Sequence, residues 1–213
     1  MDYYKHFVKT LDDAEETQII LATKTKGDCN TFDINNEIQD YLNPKSSLKS
    51  EILMQRNGKE FAIREGDRVI NRKNDYKATV YNENSLNFDE EEETTEVFNG
   101  FCGVVRKIEN NKVIVKFDLV DHLIEFSYDK IKNLELSYAL TVHLFQGSQV
   151  KRVIYLIDNS SYIMNTRELV YTAITRASEE CFLLAQSQAL KHAIVTSQTM
   201  NKQTYLQQLL MQD

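Results

Sequence analysis

The sequence is poor in the features that define several protein classes. Only three cysteines occur in 213 residues: Cys29, Cys102 and Cys181. They form no CxxC pair, and no histidine stands nearby at ligand spacing. This argues against a zinc site or disulfide framework, and for reduced thiols used as small apolar residues. No apolar run approaches the length that crosses a bilayer. Met1-Asp2-Tyr3-Tyr4-Lys5-His6 is not the start of a signal peptide. The default expectation is a soluble, cytoplasmic protein with no membrane partner. No GxxxxGK[ST] motif occurs, nor an acidic Mg²⁺-binding strand end of the DExx kind. Positive charge is also short, since 25 Lys and Arg face 32 Asp and Glu, for a formal net charge of -7. Phosphate binding rests on Lys and Arg, so this balance speaks against a general nucleic-acid binder.

The negative charge is uneven. Much of it lies in Asp89-Glu90-Glu91-Glu92-Glu93 and Glu96, a block that reads as a solvated loop at roughly 83–96. A basic groove elsewhere stays compatible with the sum. Hydrophobic residues make up 42%, enough to bury a core.

Three apolar runs read as buried strands of a parallel sheet: Ile19-Ile20-Leu21-Ala22, Val153-Ile154-Tyr155-Leu156-Ile157 and Cys181-Phe182-Leu183-Leu184-Ala185. A short helix is expected at 3–14. A second is expected from Asp33 to Leu42, with Ile34, Ile38, Tyr41 and Leu42 at helical spacing and Asn43-Pro44 as its stop. Arg167 to Ala177 reads as a helix with Leu169, Val170, Ala173 and Ile174 on one face. The tail at about 187–211 looks helical. From about 50 to 134 the texture changes to short β pieces, with Asn110-Asn111 as a hairpin turn and Gly66-Asp67 and Asn99-Gly100 as further turns. Together these patterns give an α/β sheet domain interrupted by a small β-barrel.

Two segments carry chemistry. In Thr141-Val142-His143-Leu144-Phe145-Gln146-Gly147-Ser148-Gln149, polar groups and a glycine stand just before a strand. Such a glycine lets backbone approach a phosphate, while nearby N–H groups contact its oxygens. An ordinary turn with a buried histidine has the same local pattern. In Glu168-Leu169-Val170-Tyr171-Thr172-Ala173-Ile174-Thr175-Arg176-Ala177, Arg176 stands near a helix end. A guanidinium there can reach a γ-phosphate across a domain interface. It can equally complement the helix C-terminal dipole.

Taken together and in order, the two segments resemble motifs V and VI of superfamily 1 helicases of the RecD-like type. "TVHLFQGSQ" is similar to the family's TVHKSQGSE, and "ELVYTAITRA" to its LLYTAVTRA. "IILATKTKG" followed by "INNEIQDYLNP" resembles the family's strand-loop-helix. "EGDRVINRKNDY" and "EVFNGFCGVV" resemble the start of the small barrel inserted in RecD-like members, and "ALKHAI" through "NKQTYLQQLL" resembles their closing helix. The resemblance implies a RecA-like second motor domain at 1–60 and 135–213, flanked by helices. An SH3-like insert would occupy 61–134. It implies ATP with Mg²⁺ bound against a preceding RecA-like domain of the same polypeptide, with Arg176 acting on the γ-phosphate. Gln146, Gly147, Ser148 and Gln149 would contact the nucleotide. Thr141 and His143, with Thr23 and Lys24, would face single-stranded DNA. The resemblance further implies 5′-to-3′ translocation and repair or recombination proteins as partners.

The sequence departs from the family at two positions. Gln149 stands where the family has Glu, and Leu144 where it has Lys. With the missing phosphate-binding loop, the expectation is a fragment of a longer helicase that cannot hydrolyse ATP alone. The competing expectations are a stand-alone nucleic-acid or protein adaptor that has lost the motor, and an unrelated α/β domain. An acidic loop repels DNA and is expected to point away from the strand path.

Overall fold

The computed structural model describes residues 1–23, 29–56, 58–82 and 93–197. The helix expected at 3–14 is two pieces, α1 (Asp2–Phe7) and α2 (Asp13–Glu16). Between them the Asp13 carboxylate accepts from the Lys9 and Thr10 amides, both at 3.0 Å. Those bonds hold a turn that competes with a continuous helix. β1 (Thr17–Leu21) follows and is buried throughout. α3 (Thr31–Leu42) starts two residues before its expected first residue, because Asn30 caps it by accepting from the Asp33 amide at 3.0 Å.

Next come β2 (Glu51–Arg56), β3 (Lys59–Arg64), β4 (Arg68–Asn71), β5 (Asp75–Val80), β6 (Thr94–Val97), β7 (Cys102–Glu109), β8 (Lys112–Phe117), β9 (Leu123–Phe126), α4 (Tyr128–Ile131) and β10 (Leu134–Leu136). The chain then forms β11 (Ala139–Thr141), β12 (Val150–Ile157), α5 (Arg167–Ile174), β13 (Ala177–Ala185) and α6 (Ser187–Val195). From 198 onward the expected tail helix lies outside the described residues, as does 83–92 of the acidic loop. Glu96, expected in that loop, lies in strand β6.

Two sheets carry the fold. The first is parallel, in the order β11-β1-β12-β13. Alternation along its strands serves two cores. Ile20, Leu140, Val153, Tyr155 and Ile157 face one side, packed with Leu169 and Ala173 of α5 and Ala189 of α6. Ile19, Leu21, Ala139 and Ile154 face the other, with Tyr4, Val8 and Ile38 of the N-terminal helices. Each buried Ile, Leu or Val among them contributes roughly 1.5–3 kcal/mol on burial. This is an α/β fold with helices on both faces. β13 departs from the expected buried strand: it is the sheet's last strand, so Glu179, Glu180 and Leu183 are exposed. At the opposite edge, Asn35 of α3 satisfies β11. Its amide donates to the Ala139 carbonyl at 2.9 Å and accepts from the Ala139 amide at 2.8 Å.

The second sheet is antiparallel and seven-stranded, in the order β10-β4-β7-β8-β9-β5-β6. It wraps a separate core that includes Val69, Val115, Phe117, Ile124 and Phe126. Asn110 and Asn111, at φ of 49° and 60°, turn β7 into β8, the left-handed geometry of a tight hairpin. The β2–β3 hairpin packs Ile52, Met54, Phe61 and Ile63 on this same core.

A buried carboxylate joins the two sheets. Asp67, fully buried, accepts from the Asn43 amide at 2.8 Å, the Tyr138 hydroxyl at 3.0 Å, the Arg64 amide at 2.7 Å and the Gln39 amide at 2.5 Å. Burial raises its pKa, and these donors oppose the shift. The donors come from α3 and its C-cap, the end of β3 and the segment between β10 and β11, so one side chain ties the sheets together.

Candidate functional site

The segment after β11 runs from the carboxyl ends of the sheet strands back to their amino ends in few residues. β11 ends at Thr141, level with Leu21 at the end of β1. β12 begins at Val150, level with Ala177 at the start of β13. Between them the backbone makes a compact turn. The Phe145 amide donates to the Thr141 carbonyl at 3.1 Å, and the Ser148 amide to the Phe145 carbonyl at 3.3 Å. Val142 and Phe145 anchor the turn in the core, which leaves His143, Gln146, Gly147, Ser148 and Gln149 exposed. The buried-histidine alternative is therefore not what forms. Gly147 sits at φ 88°, and a Cβ there would meet nothing within 4 Å. Glycine is needed for that backbone angle, and its surroundings are open.

Arg176 lies beyond α5, in the turn before β13, rather than inside a helix running to 177. α5 is capped at its start by Thr166, whose side chain accepts from the Leu169 amide. The half-buried guanidinium makes three contacts. Nε donates to the Thr172 carbonyl at 3.2 Å, Nη1 to the Ser148 carbonyl at 3.2 Å, and Nη2 to the Thr175 hydroxyl at 3.4 Å. The first satisfies a carbonyl of the last helical turn, so Arg176 does serve the helix end. The second links it to the glycine turn. The Val150 amide also donates to the Arg176 carbonyl at 3.1 Å, which fixes the start of β12 against it. Gln146, Gly147, Ser148, Gln149 and Arg176 thus gather where β12 and β13 begin. A planar cation beside an exposed glycine turn can hold a phosphate oxygen and stabilise charge on it.

Thr23, Thr141 and His143 lie at the carboxyl ends of the strands, where β1 and β11 end. The Val142 amide donates to the Leu21 carbonyl at 2.9 Å, which brings the two strand ends together. Thr141 Oγ1 accepts from the Leu144 amide at 3.3 Å. Thr23 Oγ1 is 3.1 Å from Ser161 Oγ, in the turn after β12. Ser161 escaped the sequence reading because it belongs to no motif and meets Thr23 only through the fold. Lys24 lies outside the described residues. Among the described residues, no group of three or more His, Cys, Asp or Glu could hold a metal, and no helix is long and apolar enough to cross a membrane.

Residues 136–184 match the UvrD-like helicase C-terminal domain. The chain is similar to the C-terminal part of RecD-like superfamily 1 helicases. It is 31% identical over 171 residues to the ATP-dependent RecD2 DNA helicase of Deinococcus radiodurans, covering 80% of this chain and 20% of that protein. It is 35% identical over 65 residues to the RecBCD enzyme subunit RecD of Mycobacterium tuberculosis, covering 30% of this chain and 11% of that one. The chain thus spans a fifth or less of these relatives. The Pif1 helicase of Candida albicans follows a loosely similar path, at a TM-score of 0.49 and 14% identity, covering 93% of this chain and 50% of that one.

Proposed function

We infer that this chain supplies the second motor half of an ATP-driven DNA helicase or translocase. Its glycine-turn edge faces a triphosphate held by a preceding RecA-like domain. The observation that carries the reading is the Arg176–Ser148 contact at the start of β12 and β13, beside an exposed Gly147. The glycine turn and the arginine before β13 stand 28 residues apart in sequence, yet the fold joins them where no other part of the described chain covers Gly147.

The chain's own residues would act by position. Arg176 binds the γ-phosphate and stabilises its charge as the bond to the β-phosphate breaks. The 146–149 turn contacts the nucleotide, with Gln149 offering an amide where relatives of this type offer a carboxylate. Mg²⁺ would be held by carboxylates and phosphates on the other side of the cleft, because the residues gathered here include no carboxylate. Thr23, Thr141 and His143 would line the single-strand track at the opposite ends of the sheet strands, and Lys24, outside the described residues, stays a DNA-facing candidate from the sequence. Changes at the nucleotide edge reach that track through the 142–148 turn, which spans both. We read residues 61–134 as an SH3-like insert and 1–60 with 135–213 as the motor domain. The polarity that goes with RecD-like members is 5′-to-3′.

The test is reconstitution. Joining the chain to a RecA-like domain that carries a P-loop should yield ATPase activity stimulated by single-stranded DNA, while the chain alone hydrolyses no ATP above background. Turnover by the isolated chain, or a joined protein with no response to DNA, would contradict the reading.

A further inference from the structure

The antiparallel sheet carries a groove that the motor reading does not use. It runs between β6 with its following turn, through Thr95, Glu96, Phe98 and Phe101, and the turn from Leu119 to His122 between β8 and β9. Its volume is ≈ 370 Å³. A water occupies roughly 30 Å³ of liquid, so the space suits a short stretch of chain rather than an ion.

The apolar side of the groove is aromatic. Tyr76 meets Phe98 edge to face at 6.0 Å between centroids, and Phe98 meets Phe101 at 5.5 Å. Tyr76, beside the groove, is 61% exposed, and Leu119, on its other wall, is 77% exposed. Exposed apolar and acidic side chains thus stand side by side along the groove. β6 is also the last strand of its sheet, paired only with β5 among the described strands. Its outer edge is the place where an extended segment can add main-chain hydrogen bonds.

Charge selects the occupant. Glu96 and Asp121, both exposed, line the groove. The nearby Lys116 is spent on backbone, donating to the Val120 carbonyl at 2.7 Å and the Asp121 carbonyl at 2.6 Å. His122 is the one basic residue in the lining. Nucleic acid could stack on the rings but would set its phosphates against these carboxylates. A lysine or arginine side chain fits both features. Its methylene stem lies on the aromatic rings and its cation reaches a carboxylate or a ring face.

We propose that this groove docks an extended, lysine- or arginine-bearing peptide segment of a partner protein. The site is independent of the nucleotide edge and stands or falls apart from the helicase reading.

The test uses the full chain and a fluorescein-labelled peptide of alternating lysine and valine. An alternating glutamate–valine peptide and a short labelled oligothymidylate serve as comparisons. The lysine peptide should bind, weaken as salt rises, and lose about tenfold or more in affinity in the double variant Glu96→Lys, Asp121→Lys. Both positions are exposed, so the variant should melt as the wild type does. Leu119→Ser should weaken binding several-fold with no change of charge. Failure of the lysine peptide to bind, equal affinity in the charge-reversed protein, or equal binding of the glutamate peptide would overturn the proposal. Displacement of the lysine peptide by the oligothymidylate from wild type but not from Leu119→Ser would reassign the groove to nucleic acid.

Discussion

Asp67 and Arg176 are both charged, and both join segments far apart in sequence, but one network is closed and the other is open. Around Asp67 every partner is internal: donors from α3 and its C-cap, the end of β3 and Tyr138 surround a carboxylate with no exposure. Around Arg176 the contacts go to backbone carbonyls and a hydroxyl of its own neighbourhood, and the residues beside it, Gly147 to Gln149, are exposed. A complete buried network fixes how parts are held. A partly used cation beside an open turn has capacity left for something outside the chain. The difference separates a residue that serves architecture from one that serves a ligand, although both would be marked as buried or half-buried charge.

That contrast can be broken by substitution. The largest stability effect should come from Asp67→Asn, which turns an acceptor into a partial donor facing four donors. A loss of about 2–4 kcal/mol is expected, read from the midpoint of denaturant unfolding. The surviving folded fraction, joined to a P-loop domain, should keep its turnover. A stable variant with impaired turnover would reverse the roles assigned to the two networks. A smaller effect should follow from Gly147→Ala. The added methyl meets no atom within 4 Å, so the cost is the φ of 88° alone. About 1–2 kcal/mol is expected, with DNA-stimulated turnover falling more than stability as the turn shifts away from Arg176. Turnover unchanged in this variant would mean that the backbone angle at the turn has no part in the site.

Much of the parallel-sheet part was legible in sequence because its signals are local. The apolar runs at 19–22 and 153–157 lie within β1 and β12 or just past their ends, and Asn43-Pro44 does follow the last residue of α3. Asn110-Asn111 turns as its side chains allow. What stayed hidden depends on partners distant in sequence. β11 has three residues and is defined only by pairing with β1 and by Asn35 along its outer edge. The exposure of β13 reflects its place at the end of the sheet, which no periodicity encodes. Asp67 read as half of a turn, because its donors lie up to 71 residues away. Arg176 was placed on a helix because the apolar spacing of α5 runs up to it. The carbonyl of Ser148 could not be foreseen as its partner, since backbone groups leave no mark in a motif.

If Arg176 meets the γ-phosphate of a nucleotide bound by another domain, its loss should slow turnover and spare nucleotide binding. Wild type and Arg176→Ala, each joined to a P-loop domain, are compared for ATP binding and for kcat. In the variant kcat should fall about 10³-fold or more with nucleotide affinity changed only a few-fold. Equal turnover in the two proteins would contradict it.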